Sequence, residues 1–249
     1  MPAVSLVSLN VERSNHLDAV EKFLSSRSPD IVCLQELMVS DVERLGKAAS
    51  ASSTLFVPMG IRPNESDAVL GIGIFSRHTM RARDVRYYRG APDALPNSFN
   101  GDASTNNAFN RMLALVDIEK EGMLFRIATT HFTWSQGGAA TDEQRRDMTA
   151  LLGILDTLGE FILCGDFNAP RGGEIFALLA SKYKDNIPPQ YKTSLDLTLH
   201  RAGKTHADEL STKMVDGLFS TPGYAISDIE LIPGVSDHCA IVATIAKTS

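Results

Sequence analysis

The chain has little of what marks several protein classes. Three cysteines in 249 residues are an odd number that cannot all pair within one chain. Cys33, Cys164 and Cys239 each lie in an apolar run, and their spacing fits no zinc pattern, so they read as buried thiols. No apolar run reaches the ~20 residues needed to cross a bilayer, and the opening residues lack a basic segment followed by an apolar one. The expectation is a soluble, cytoplasmic protein of a reducing compartment, with no transmembrane segment and no obligate protein partner. Basic residues are not in excess: the net charge of −6 argues against a broad surface gripping nucleic acid non-specifically, though not against a local basic groove. A Pro/Gly/Ser-rich linker, a fixed-period repeat and a Gly-rich phosphate loop are all missing; Gly71-Ile-Gly73 sits in a strand-like run and reads as a close-packing site. Without a linker, a single domain over residues 1–249 is expected.

What is there is a succession of strands. Runs rich in Val, Ile, Leu and Phe, several alternating in period two, occupy 4–10, 31–35, 54–59, 70–76, 112–119, 124–132, 161–164, 214–219, 228–232 and 239–246. Helical stripes lie between some of them. Asn15 can cap one through Leu17, Val20 and Leu24; Ser40 with Glu43 and Thr141 with Gln144 have capping-box spacing; Gly173 opens a short one. The helices are too few to cover a single parallel sheet on both faces. The fold expected is α/β: two mixed sheets packed face to face with helices outside, a four-layer sandwich. Residues 83–110 and 182–213 read as long loops, of the kind that carry function.

Many of these strands end in acid, amide or imidazole. Leu-Asn10, Gln35-Glu36, Thr130-His131, Gly165-Asp166-Phe-Asn168, Val215-Asp216 and Ser236-Asp237-His238 share that form. Hydrolysing a phosphoester requires neutralised phosphate oxygens, an activated water and proton transfer. A hard cation such as Mg²⁺ takes one or two carboxylates and keeps several waters; amides orient water or phosphate without added charge; histidine titrates near neutrality. Taken in order, these six segments make the chain resemble the endonuclease/exonuclease/phosphatase (DNase I-like) superfamily, from Asn10 to His238. The resemblance implies a two-sheet sandwich with the site at one edge. It implies Glu36 as principal Mg²⁺ ligand (Mn²⁺ substituting) with Asn10 beside it, and Asp237 as ligand to a second metal or as a structural acid. It implies that Asp166 and Asn168 position the water and the phosphate. His238 becomes the base or a phosphate contact, with Asp216 orienting it, and His131 donates to a phosphate oxygen or the leaving group. The abasic-site endonuclease branch has tyrosine where this chain has His131. The acid that orients the first histidine in DNase I-like enzymes has no counterpart that the sequence locates.

Plainer readings stand beside these. Asp166 fits an Asx turn, His131 a satisfied core histidine, and Asn10 a strand end. Arg111 is either a contact to substrate phosphate or a surface arginine. Trp134 stacks on substrate or packs under its loop. Tyr87, Tyr88, Phe99 and Phe109, interleaved with Arg86 and Arg89, suit stacking on single strands or a loop pinned by buried aromatics. His200 and His206 read as surface histidines. The function expected is a Mg²⁺-dependent phosphodiesterase acting on a phosphoester substrate such as DNA, RNA or a nucleotide-like diester. The alternatives are a phospholipid (sphingomyelinase-like) or inositol-phosphate hydrolase, for which residues 92–99 offer a candidate apolar hairpin, and a non-catalytic binding module on the same fold.

Overall fold

A computed structural model describes residues 2–61, 68–96 and 108–248. Twelve strands form two six-stranded mixed sheets among the described residues. The first has the order β11 (Tyr224–Ile232), β12 (Ala240–Lys247), β1 (Ala3–Asn10), β2 (Ile31–Met38), β4 (Val69–Ser76), β3 (Ser53–Ile61). The second has the order β5 (Thr79–Arg89), β6 (Arg111–Lys120), β7 (Met123–His131), β8 (Ile162–Asp166), β10 (Asp216–Ser220), β9 (Lys184–Asp185). Period-two alternation assigns each strand's side chains to the inner or the outer layer. Val4 and Leu6, Ile31 and Cys33, Phe125 and Ile127, and Ile162 and Cys164 meet between the sheets. Val7 and Leu9 face outward onto α1 (Leu17–Arg27) and α2 (Val42–Ala48). Leu163, Phe161 and Ala128 face α3 (Asp142–Leu155) and α4 (Glu174–Ala180). The result is the expected α/β/β/α sandwich.

The same alternation builds the site. Asn10, Gln35, His131 and Asp166 continue the inward-facing series of β1, β2, β7 and β8 at their C-terminal ends. The β1–β2 and β7–β8 pairs are parallel, so their ends lie together. β10 and β12 run the other way and start at that edge: Asp216 pairs with Asp166, and β12 enters beside Ser8. Gln35 Nε2 donates to Thr129 Oγ1 at 3.0 Å, joining the sheets beneath the charged groups.

Three sequence expectations need correction. Residues 83–110 are not all loop, because β5 runs to Arg89. Its Arg-rich outward face hid the strand; edge strands carry charge, which discourages pairing with other chains. Asn15 and Ser40 do not cap: the N-cap positions fall on His16 and Asp41, neither of which makes a side-chain cap bond. Thr141 does cap α3, accepting from Gln144 N at 3.1 Å. The 182–213 segment contains the short β9 and α5 (Ala207–Leu210).

At the opposite end of the sandwich Asp30 ties the sheets together. It accepts from Ser5 N (2.9 Å), Ser5 Oγ (3.1 Å) and Lys120 Nζ (3.0 Å), and lies 2.6 Å from His78 Nε2. Burial pushes its pKa up, but the Ser5 amide, His78 and Lys120 outweigh burial and hold it at about 2, against an ordinary 3.8. Because the folded value is the lower one, this stabilisation is present above about pH 4 and disappears as pH falls toward 2. Asp30→Asn should therefore cost about 1–2 kcal/mol at pH 7 after allowance for solvent screening, and flatten acid sensitivity between pH 4 and 2. Urea titrations at pH 7, 4 and 2.5 check both; an unchanged acid profile would remove Asp30 as its source.

Candidate active site

A cleft of about 490 Å³ opens at this edge, lined by Asn10, Glu36, His131, Asp166, Asn168, Asp237 and His238. Glu36 reaches it through a bulge. Leu34 and Leu37 both pack on the outer layer, and the β2–β4 register shifts between them. Glu36 itself sits at φ 52°, in the left-handed region. Without the extra residue Glu36 would follow Leu34 outward. Glu12 (φ 45°), Arg13 (63°) and Asn168 (49°) are left-handed too. At about 1–3 kcal/mol each, such strain persists only where the surroundings enforce it. Gly165, at φ 142°, has no room for a Cβ, which would lie 2.0 Å from the Thr130 carbonyl oxygen. That close approach brings Asp166 alongside His131.

Asp166 is the centre of the site. Its Oδ2 accepts from Asn10 Nδ2 across the sheets at 3.0 Å and lies 3.5 Å from His131 Nε2. Its Oδ1 accepts from Asn168 N at 2.8 Å, an Asx turn. The turn and the functional reading are therefore compatible. Burial and the neighbouring Asp216 carboxylate raise its pKa to about 7, against the pull of His238 and its hydrogen bonds. His238 Nδ1 pairs with Asp216 Oδ2 at 2.7 Å. Burial opposes its charge, but Asp216, Asp237 and Asp166 outweigh burial and hold the imidazole protonated well above its usual range. His131 goes the other way: burial, Arg111 and His238 keep it neutral. Among the described residues its Nδ1 is buried with no hydrogen-bond partner, so none of their acids orients this histidine from that side. The satisfied-core reading of His131 fails on the same atom.

Glu36 keeps a side chain 26% exposed, and its Oε1 lies 3.9 Å from His131 Nε2. Burial and Asp237 raise its pKa, while Arg13 and His238 lower it. Such a crowded carboxylate favours a cation beside it. Glu12, His16 and Asp237 form a further cluster with ligand atoms within 4.8 Å of one another. Sequence reading missed Glu12; the signal was its place two residues after Asn10 at a strand end.

Other expectations are redistributed. Arg111 is 2% exposed and its Nη1 donates to the His131 carbonyl at 3.0 Å, so it is not a surface arginine. Trp134 lines the cleft, partly exposed. His200, half-buried, and His206, exposed as expected of a surface histidine, both border it. Tyr88 is buried against Thr130 (2.8 Å), Tyr87 and Phe109 pack on the inner core, and Arg89 pairs with Asp147. The pinned-aromatics reading therefore holds where it can be followed; Phe99 lies outside the described residues, as does part of the 92–99 hairpin.

Two supports were invisible in the sequence. Gln144 Nε2 donates to the carbonyls of Thr133 (2.8 Å) and Asn168 (3.3 Å), and Asn168 Nδ2 to that of Phe132 (3.0 Å). Together they fix the loops after His131 and Asp166. Ser194 Oγ accepts from Val215 N (3.1 Å) and Asp216 N (3.0 Å), and its carbonyl from Cys239 N (2.7 Å). Asp196 N donates to the Asp237 carbonyl at 2.8 Å. The 182–213 segment thereby clamps the start of β10, which carries Asp216, to the segment before β12 that carries His238.

Solved structures share this architecture. An endonuclease/exonuclease/phosphatase from Bacteroides vulgatus has 17% identity, with both chains fully covered and a TM-score of 0.74. The catalytic domain of human Nocturnin has 18% identity over 99% of this chain and 94% of its own, with a TM-score of 0.69. A mannosyl-6-phosphatase from Bacteroides thetaiotaomicron has 11% identity over 98% and 99%, with a TM-score of 0.68. No curated protein sequence matches the chain. The profile of the Endonuclease/Exonuclease/phosphatase family matches residues 7–238, a span that starts just before Asn10 and ends on His238. With the ordered segments, the double sheet and the convergent cleft in agreement, the chain belongs to that family.

Proposed function

We propose that residues 1–249 act as one catalytic unit, a Mg²⁺-dependent phosphodiesterase that hydrolyses a nucleic-acid or nucleotide-like phosphodiester by in-line attack of water. The observation that carries this reading is the buried Asp166, facing His131 and the His238–Asp216 pair, with Glu36 beside them. The residues fit a hard divalent cation: the carboxylates of Glu36 and Asp237 and the amide of Asn10 offer oxygen, and no thiol lines the cleft. When bound, such an ion supplies charge neutralisation at the phosphate and acidifies water.

The chain's own groups divide the remaining work. Asp166, poised near neutrality, accepts a proton from the attacking water, while Asn10 and the Asn168 amide hold its carboxylate in place. His238, kept cationic by Asp216, contacts the phosphate and stabilises its developing charge. This favours the phosphate-contact role for His238 over that of base. Neutral His131, with Nε2 turned toward the carboxylates, donates to a phosphate oxygen. Trp134 and Arg111 border the substrate.

The cleft favours a compact substrate. Its volume falls in the range of small-ligand sites. One wall is closed by Lys213 Nζ donating to the Gly137 carbonyl at 2.6 Å. A panel at fixed Mg²⁺ tests the assignment: single- and double-stranded DNA, RNA, a chromogenic diester, sphingomyelin, inositol phosphates and sugar phosphates, each with and without EDTA. Diester turnover abolished by EDTA and restored by Mg²⁺ or Mn²⁺ is expected. Turnover confined to lipids or monoesters would replace the substrate class, and activity surviving chelation would refute the metal.

A further inference from the structure

Arg13 enters the cleft by a strained route. Glu12 and Arg13 are consecutive non-glycine residues in the left-handed region. The turn is fixed by Glu12 N donating to Asn10 Oδ1 at 3.0 Å and Arg13 N to the Glu36 carbonyl at 3.1 Å. It leaves the guanidinium between two carboxylates, Nη2 3.4 Å from Glu12 Oε1 and Nε 3.7 Å from Glu36 Oε2. Both separations exceed the roughly 2.7–2.9 Å of a good charge-assisted hydrogen bond, and neither pairing is bidentate. The neighbouring cations are held more closely: Lys213 by the Gly137 carbonyl at 2.6 Å, and His238 by Asp216 at 2.7 Å. Arg13 is thus kept at Glu36 loosely, with its side chain 28% exposed in the cleft.

We propose that Arg13 couples metal entry to phosphate capture: it neutralises Glu12 and Glu36 in the metal-free site and, released by a divalent cation, takes a non-bridging oxygen of the substrate phosphate. The inference rests on the phosphoesterase reading above. A guanidinium and a divalent ion cannot share Glu36 at full strength, because they repel each other and the ion carries the larger charge. The planar fork that fits a carboxylate poorly here is suited to phosphate. Metal and phosphate then assist each other, and by linkage each raises the other's affinity by the same factor.

The test measures Mn²⁺ affinity by electron paramagnetic resonance with and without sulfate, a tetrahedral dianion that is not hydrolysed. In the wild-type protein sulfate should tighten Mn²⁺ on the order of tenfold. Arg13→Met should bind Mn²⁺ several-fold more tightly in the absence of sulfate and lose the sulfate effect. Arg13→Lys, which keeps the charge but not the fork, should retain weak Mn²⁺ binding and only part of the coupling. Methionine bears the same left-handed strain as arginine, and melting curves report folding; should Arg13→Met misfold, Arg13→Lys decides alone. Unchanged Mn²⁺ affinity in Arg13→Met, or coupling that survives it, overturns the proposal while leaving the metal site standing. Wild-type protein that binds no Mn²⁺ would sink the parent reading instead.

Discussion

Asp166→Asn is expected to lower kcat by on the order of 10³-fold or more, about 4 kcal/mol of transition-state stabilisation. Asparagine preserves shape and the hydrogen bond from the Asn168 amide, but it cannot accept a proton and it sets an amide donor against Asn10 Nδ2. The same change should stabilise the metal-free protein near and above pH 7. In the wild type Asp166 is held at about 7, well above its ordinary value, by burial and by Asp216. Folding therefore disfavours its ionised form, and that penalty grows as pH rises from about 4 through 7. Removing the charge removes the penalty. Turnover near normal would take Asp166 out of the mechanism. A lost activity together with a lowered melting temperature at pH 8 would make the residue structural instead.

Glu36→Gln should be comparably severe, on the order of 10³-fold in kcat/KM, for a different reason. Glutamine fits the bulge and its left-handed backbone as well as glutamate does, so the fold should persist. The lost charge should appear as weakened Mg²⁺ or Mn²⁺ binding by calorimetry, with activity partly recovered at high metal concentration. Full activity at micromolar metal would exclude Glu36 as the principal ligand. The two variants separate the roles: Asp166→Asn should keep most of its metal affinity and lose turnover, whereas Glu36→Gln should lose both.

Much of this site could be read in order along the chain because of alternation. A strand whose even or odd positions are apolar on the inner side also commits its terminal polar residue to that side. That is how Asn10, His131 and Asp166 declare themselves. Arg111 shows the limit. Its type suggested a phosphate contact or the surface; β6 starts inside the molecule and buries it beside His131 at the cleft wall, which removes only the surface reading. Strand β5 shows another: four arginines in eleven residues conceal a strand that needs only one face to pack. Gln144 was legible as half of a capping box, but its side chain left the helix terminus to hold the loops that carry His131 and Asn168.

By itself the sequence determined which chemical groups stand at the strand ends, and hence a phosphoesterase family and a two-sheet fold. Local hydrophobic period and residue type are written directly into it. Only the tertiary structure decided that the Asp166 carboxyl is pushed upward, that the two imidazoles of His131 and His238 shift in opposite directions, and that Arg13 leans on Glu36. Those properties come from desolvation and from charges brought together across residues 10 to 238, and neither exists until the two sheets close on each other.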